Sequence, residues 1–145
     1  MDNKMKLEFY SRPENESFAR SAVSAFIALM DPTIEELTEI KTAVSEAVSN
    51  AAIHAYPDNS DEIITIECYA SAGRRIVIIV SDDGVGIENI EQAREPLFTT
   101  GKSGERSGMG FTVMESFMDK LDVESKKGQG TRVTMFKNLD AGYEL

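Results

Sequence analysis

The most constraining feature of this chain is an apolar run that ends in two carboxylates and two glycines. Residues 76–80 read Ile-Val-Ile-Ile-Val, and residues 82–87 read Asp-Asp-Gly-Val-Gly-Ile. A short run of β-branched residues is typical of a buried strand, which would deliver the acids to a fixed place. The glycines would let a ligand approach the backbone closely. Taken alone, however, these residues are more typical of a tight acidic turn.

Charge and length restrict the function classes. The 145 residues carry 25 acidic and 15 basic side chains, a formal net charge of −10. This length predicts one domain over residues 1–145 with a substantial core. The acidic balance argues against nucleic acid as a primary partner, because phosphate binding needs a basic surface. A basic protein segment is compatible with it.

Neither a membrane span nor a disulfide is predicted. No apolar stretch approaches the roughly 20 residues that cross a bilayer, and the N-terminus lacks a signal-peptide pattern. These features predict a soluble, cytoplasmic protein without a membrane partner. The single Cys68 excludes an internal disulfide, and its alternating strand position predicts a small buried side chain.

Hydrophobic periodicity predicts grouped strands and helices. The predicted strands cover residues 6–10, 63–69, 75–81, 121–125 and 131–136. The predicted helices cover about 14–30, 34–55, 90–94 and a segment from 108 onward. The first helix is predicted to bury Phe18, Ala22, Ala25, Phe26 and Leu29, and Thr33 with Glu36 predicts a capping box on the second. This order predicts an α/β (α+β) two-layer sandwich, with a mixed, mainly antiparallel sheet and helices on one face.

A polar row lies along the second predicted helix. Glu46 and Asn50 are four residues apart, so at about 100° per residue they lie one turn apart, and His54 continues the row. Such a row is most often a solvated face. The functional interpretation is a proton acceptor beside a Mg²⁺ ligand. Arg20 on the first helix has two similar interpretations, a solvated arginine or an anchor for a partner protein.

Residues 97–107 predict a loop without regular structure. Loops of this length with glycines, basic residues and hydroxyls are more often lids than connectors. Gly108-Met109-Gly110 then opens a helix, and free N–H groups at a helix start favour phosphate. A Walker A loop is excluded because position 96 is proline instead of glycine. A catalytic triad lacks support, since His54 is the only histidine.

Taken in order, these pieces resemble a known family. The set comprises Glu46 and Asn50 on one helix, Asp82-x-Gly84-x-Gly86 after a strand, the loop, Gly108-x-Gly110, and Gly128-x-Gly130-Thr131. It resembles the ATP-binding domain of the GHKL superfamily (Bergerat fold), which sensor histidine kinases, DNA gyrase and the MutL repair proteins share. Within it, the compact length and the segment 95–111 are most similar to the anti-sigma factor serine kinases of sporulating bacilli.

The resemblance implies a role for each matching residue. Glu46 would be the general base, and Asn50 would bind Mg²⁺ at the phosphates of ATP. Asp82 would accept a hydrogen bond from the adenine amine, with Gly84 and Gly86 shaping the turn over the base. The other implied nucleotide-binding residues are Thr99, Lys102, Ser103 and Arg106 in the lid, Gly108, Met109 and Gly110 at the helix start, and Thr131 at the adenine pocket.

The resemblance also implies partners. In its ATP-bound form the protein would sequester a sporulation sigma factor, and it would phosphorylate a serine of an anti-anti-sigma factor. A homodimer is implied, and Arg20 is the candidate partner contact. Histidine-kinase activity is disfavoured because the only histidine, His54, lies on the same helix as Glu46. Two alternatives stay open: an ATP-dependent sigma-binding module without significant kinase activity, and a stand-alone ATPase.

Overall fold

A computed structural model of the protein describes residues 2–52, 62–84, 86–87, 89–94 and 110–139. The strands are β1 (Asn3–Tyr10), β2 (Ile63–Ser71), β3 (Arg75–Asp82), β4 (Lys120–Lys126) and β5 (Gly130–Asn138). The helices are α1 (Pro13–Ala28), α2 (Ile34–Asn50), α3 (Ile90–Ala93) and α4 (Gly110–Phe117). The predicted order of elements is confirmed. None of these described helices is long and apolar enough to cross a bilayer.

The five strands form one sheet in the order β1-β2-β3-β5-β4, and all four described pairings are antiparallel. The predicted two-layer arrangement is confirmed, whereas the parallel part of the predicted mixed sheet does not occur among these pairings. β3 is the central strand, which explains why its sequence is apolar at nearly every position. Ile78 on the helix side is fully buried, and Ile79 on the opposite face is also buried.

The predicted core face of α1 is only partly right. Phe26 is buried as predicted, but Phe18 and Leu29 are 56% and 74% exposed, and Ala25 is exposed too. The buried side of the helix instead consists of Ala19, Val23, Phe26 and Ile27. Both faces of this helix are apolar, so its rotation is set by packing against the sheet and α2, which periodicity alone does not determine.

The second helix begins at the predicted capping box. The Glu36 N–H donates to the Thr33 Oγ1 at 3.0 Å, and the Thr33 N–H donates to the Glu36 Oε1 at 2.8 Å, which completes the capping box. Ile40, Val44 and Val48 are buried in the shared core. After Asn50, residues 51 and 52 continue in a π-helical turn. The predicted end at residue 55 lies outside the described residues.

A buried lysine fixes the far end of α4. Lys137 on β5 is 8% exposed, and its ammonium donates to the Phe117 carbonyl oxygen at 2.6 Å and to the Glu39 Oε1 at 3.0 Å. A positive charge at the carboxyl end of a helix is favourable because the helix dipole is negative there. Glu39 on α2 compensates the buried charge. One side chain of the sheet thereby joins α4 to α2.

Cys68 is fully buried on β2, as its position in the sequence predicts. Burial raises the pKa of its thiol from 9.0 to about 12. The thiolate is the reactive form of cysteine, so this side chain is inert in the folded protein at neutral pH.

Candidate nucleotide site

The carboxylate of Asp82 lies at the end of the central strand. Asp82 pairs with Ile64 on β2 and with Thr131 on β5, so both neighbouring strands fix its position. Its Oδ1 accepts a hydrogen bond from the Gly84 N–H at 2.9 Å. Asp82 is half-buried, whereas Asp83 is exposed. The structure therefore places Asp82, the acid favoured by the motif, in the more shielded position.

Burial raises the pKa of the Asp82 carboxyl from 3.8 to about 6. Backbone hydrogen bonds from Gly84 and Thr131 act in the opposite direction, and the charge of Asp83 adds to the increase. An ordinary acidic turn holds its carboxylate in water, where no such shift arises. A carboxyl with a raised pKa at the end of a central strand is typical of a binding site, because a bound donor can compensate the desolvated charge.

Two glycines allow the turn between β4 and β5 to lie against this corner. Gly130 has φ +89°, and a Cβ there would lie 2.0 Å from the Asp82 carbonyl oxygen. Gly86 has φ +76°, and a Cβ there would lie 2.1 Å from the Lys126 carbonyl oxygen. The sequence predicted that Gly84 and Gly86 let a ligand approach the backbone closely. At Gly86, the group that approaches in the structure is the protein's own backbone.

Substitution at Gly130 should therefore be far more damaging than at Gly128. Both glycines have positive φ, but a Cβ at Gly128 would meet nothing within 4 Å. We expect Gly128→Ala to cost about 1 kcal/mol of unfolding free energy through its backbone conformation alone. Gly130→Ala should cost about 1–3 kcal/mol more, because the new methyl group displaces the Asp82 backbone. Urea unfolding of both variants measures the difference, and equal losses would contradict the predicted clash.

The hydroxyl of Ser125 holds the loop after Asp82 to the start of β5. It accepts from the Ile87 N–H at 2.6 Å, donates to the Gly130 carbonyl oxygen at 2.9 Å, and lies 2.8 Å from the Thr131 Oγ1. Because a serine has one proton to donate, Thr131 is the donor in the last contact. Ser125 was not predicted from the sequence. Only its pairing with Thr131 across β4 and β5 identifies it.

A second group of predicted residues meets where α2 ends and α4 begins. Asn50 is the last residue of α2 and Gly110 the first of α4. A Cβ on Gly110 would lie 2.8 Å from the Asn50 Nδ2 and 3.1 Å from its Oδ1. The glycine thus allows the helix start to lie directly on the amide. An amide oxygen beside free helix N–H groups fits a cation that is bound to phosphate.

Glu46 lies one turn before Asn50 and faces solvent. It is half-buried and lines a groove of about 300 Å³ together with Arg20, Thr38, Lys41, Thr42 and Ser45. Arg20 is exposed, and its Nη1 donates to the Ser45 Oγ at 3.3 Å. The groove therefore presents one carboxylate among hydroxyls and two cations.

The remaining predicted site residues lie outside the described part of the chain. These are Thr99, Lys102, Ser103, Arg106, Gly108 and Met109, together with His54 of the polar row. The described candidate site consequently has two parts. One is the Asp82 corner with Gly84, Gly86 and Thr131, and the other is the α2 edge with Glu46, Asn50 and Gly110.

A family model described as "Histidine kinase-like ATPase domain" matches residues 9–137. This chain is 59% identical over 140 residues to the anti-sigma F factor of Clostridium perfringens, covering 97% of this chain and 99% of the relative. It is 58% identical over 137 residues to the anti-sigma F factor of Clostridium novyi, covering 94% and 95%.

The fold has a counterpart among solved structures. The RsbU and RsbW domains of Rv1364c from Mycobacterium tuberculosis superpose with a TM-score of 0.70 at 17% identity, over 94% of this chain and 32% of that chain. An identity this low shows the fold alone. The resemblance noted from the motifs is confirmed by the family match and by the near full-length relatives. The chain belongs to the anti-sigma F factor family, on the fold of the histidine kinase-like (GHKL) ATPase domain.

Proposed function

We propose that this protein is an anti-sigma factor that sequesters a sporulation sigma factor in its ATP-bound form and phosphorylates a serine of an anti-anti-sigma factor. One observation carries the kinase part of the proposal. Glu46 lies in a solvent-open groove one helical turn from Asn50, which itself lies on the first residue of α4. This arrangement supports the proposal of a proton acceptor beside a helix start that would bind phosphate. The anti-sigma part rests on the relatives.

The Asp82 corner would bind the adenine of ATP. The Asp82 carboxylate would accept a hydrogen bond from the adenine amine, and this donor would offset the desolvation that raises the pKa of the acid. Gly84 and Gly86 shape the turn beside it, and Thr131 closes the pocket, where the Ser125 hydroxyl holds its side chain at 2.8 Å.

The α2 edge would bind the phosphates. The Asn50 amide oxygen is a hard ligand suited to Mg²⁺, and the absence of a Cβ at Gly110 lets the helix start lie against this amide. When bound, Mg²⁺ would neutralise part of the negative charge of the phosphates. The lid residues Thr99, Lys102, Ser103 and Arg106, with Gly108 and Met109, would bind the phosphates from the other side. Local positive charge there would offset the net charge of −10.

Glu46 would activate the acceptor. Its carboxylate takes the proton of the serine hydroxyl while the serine oxygen attacks the γ-phosphorus. The bond from that phosphorus to the oxygen of the β-phosphate breaks, so ADP and a phosphoserine form. The proton then leaves Glu46 for solvent. General-base assistance of this kind is worth about 10²–10⁴-fold in rate.

The protein partners would be a sigma factor and the anti-anti-sigma factor, and we propose that the protein acts as a cytoplasmic homodimer. Arg20 is the proposed partner contact, since it is exposed at the edge of the groove that contains Glu46. For the homodimer, β1 is an edge strand and Phe18 on the following helix is 56% exposed. Sedimentation equilibrium measures the oligomeric state directly.

The decisive test is a mass spectrum of an anti-anti-sigma factor after incubation with this protein, ATP and Mg²⁺. We expect one phosphate on one serine. ATP-dependent binding of a sigma factor without any phosphorylated serine would instead indicate a binding module. ATP hydrolysis without either result would indicate a stand-alone ATPase. Omission of ATP is the matched control for both partners.

A further inference from the structure

Helices α1 and α2 are joined by two hydrogen bonds that lie one helical turn apart. The Ser49 hydroxyl donates to the Glu16 Oε1 at 2.6 Å, and the Arg20 Nη1 donates to the Ser45 Oγ at 3.3 Å. The two contacts differ in their surroundings. Ser49 is 6% exposed, whereas Arg20 is exposed. The Glu16–Ser49 contact is therefore the short and shielded one, and hydrogen bonds to a carboxylate are strong in such a place.

Ser49 immediately precedes Asn50, the proposed phosphate-side residue. The last turn of α2 is consequently contacted from two sides: Glu16 reaches it from α1, and Gly110 lies on it from α4. A Cβ at Gly110 would come within 2.8 Å of the Asn50 amide, so little space exists for that side chain to shift toward α4. The rotation of this turn decides where the amide oxygen points.

The backbone hydrogen-bond pattern of α2 changes directly after this turn. The chain passes into a π-helical turn at residues 51 and 52. The Ala51 N–H is shared between the carbonyl oxygens of Ala47 and Val48. A π-turn is wider than an α-turn, and such turns occur often at functional sites. The Glu16–Ser49 hydrogen bond lies one residue before Asn50, next to this change in the helix.

We infer that Glu16 is a positioning residue: through Ser49 it fixes the last turn of α2 so that the Asn50 amide faces the start of α4. The inference rests on the proposed role of Asn50 at the phosphates and Mg²⁺. Neither Glu16 nor Ser49 contacts the nucleotide in this scheme. Partners that hold a metal ligand in place commonly change metal affinity by about 10–100-fold when they are removed.

The first test compares nucleotide affinity with and without the metal. Calorimetry gives the dissociation constant of ATP in Mg²⁺ and in EDTA, and their ratio is the Mg²⁺ increment. We expect Ser49→Ala and Glu16→Ala to reduce that increment about tenfold, with the affinity in EDTA unchanged. Glu16→Gln keeps an acceptor oxygen for Ser49 and should retain most of the increment.

Ser24→Ala is the matched control, because the Ser24 hydroxyl bonds only the Arg20 carbonyl oxygen of its own helix in the described contacts. It should leave the Mg²⁺ increment unchanged. Ser49→Ala could instead lower the affinity in Mg²⁺ and in EDTA equally, together with the melting temperature. That result would overturn the positioning role, because it would mean that Ser49 contributes only to packing.

The second test needs no nucleotide. Asn50→Ala removes the Asn50 side-chain amide resonances from the ¹⁵N spectrum of the unliganded protein and so assigns them. These resonances should shift or broaden in Ser49→Ala and Glu16→Ala, and stay in place in Ser24→Ala and Glu16→Gln. Unchanged resonances in all four variants would overturn the inference. If Asn50→Ala itself retains the full Mg²⁺ increment, the proposed metal role of Asn50 fails, and the resonances still decide whether Glu16 positions the amide.

Discussion

Replacement of Glu46 by glutamine is expected to reduce phosphoryl transfer to the anti-anti-sigma factor by about 10²–10⁴-fold. An amide has nearly the shape of a carboxylate but cannot accept the serine proton at neutral pH. Affinity for ATP and for the sigma factor should be preserved, because glutamine keeps the size of the side chain and its hydrogen-bonding oxygen in the groove. Single-turnover transfer and calorimetry on the same preparation measure both quantities.

Glu35→Gln provides the matched control for this variant. Glu35 is an exposed glutamate in the first turn of the same helix. Its replacement changes the net charge by the same amount, far along α2 from the groove. We expect wild-type transfer from it. Undiminished transfer by the Glu46 variant would remove Glu46 from the base role, while loss of ATP affinity would show that the side chain acts on the nucleotide instead.

Asp82→Asn is expected to weaken ATP binding about tenfold while making the unliganded protein more stable at neutral pH. The adenine amine loses a charged acceptor, and hydrogen bonds to charged groups are worth about 1.5–3 kcal/mol against 0.5–1.5 for neutral ones. The asparagine side chain still offers an oxygen that can accept from the Gly84 N–H. Unchanged affinity in a calorimetric titration would overturn the adenine assignment.

The stability effect follows from the direction of the Asp82 pKa. In the folded protein the pKa is about 6, above its ordinary value of 3.8. The folded state thus favours the protonated acid: its contribution to stability is present below about pH 4 and is lost as pH rises through 6. Above that range the carboxylate costs about 1–2 kcal/mol, allowing for its partial exposure. Asparagine does not titrate and avoids this cost.

Urea unfolding at several pH values between 4 and 7 tests this effect. The variant should gain stability relative to wild type as pH rises toward 6, and the gain should level off above pH 7. Asp83→Asn removes a charge one residue later, at an exposed position. Because the charge of Asp83 is the smallest of the contributions to the pKa of Asp82, its replacement should give a much smaller pH-dependent gain. A difference that stays constant with pH would contradict the raised pKa of Asp82.

Local signals in the sequence predicted most of the fold. The Thr33–Glu36 capping box predicted the start of α2, period-two alternation located β1 and β2, and the continuous apolar run at residues 76–80 located β3. These signals act over a few residues, so a single sequence contains them in full. The sequence did not predict the rotation of α1 about its axis, because Phe18 and Leu29 are as apolar as Val23 and Ile27. Which side of such a helix is buried depends on what it packs against.

The sequence predicted which residues form the candidate site, but it did not predict the residues that hold them in place. Asp82 after a buried strand and Glu46 four residues before Asn50 are local patterns. The contact of Ser125 with Ile87 depends on how β4 and β5 pair, and the Glu16–Ser49 bond joins residues 33 positions apart. Serine and glutamate are common on solvated helix faces. No pattern in the sequence therefore distinguishes Glu16 and Ser49 from the other glutamates and serines of the chain.

The burial of Cys68 gives the molecule a built-in reporter that needs no substitution. A thiol reagent can modify this side chain only when β2 separates from the core, because the native thiol is both inaccessible and protonated. Its modification rate in native buffer therefore measures how often the middle of the sheet opens. Because the Cys68 thiol is buried, a single cysteine introduced at the surface would react much faster with a thiol reagent than Cys68 does. A fluorophore can therefore be attached to it without first removing the native thiol.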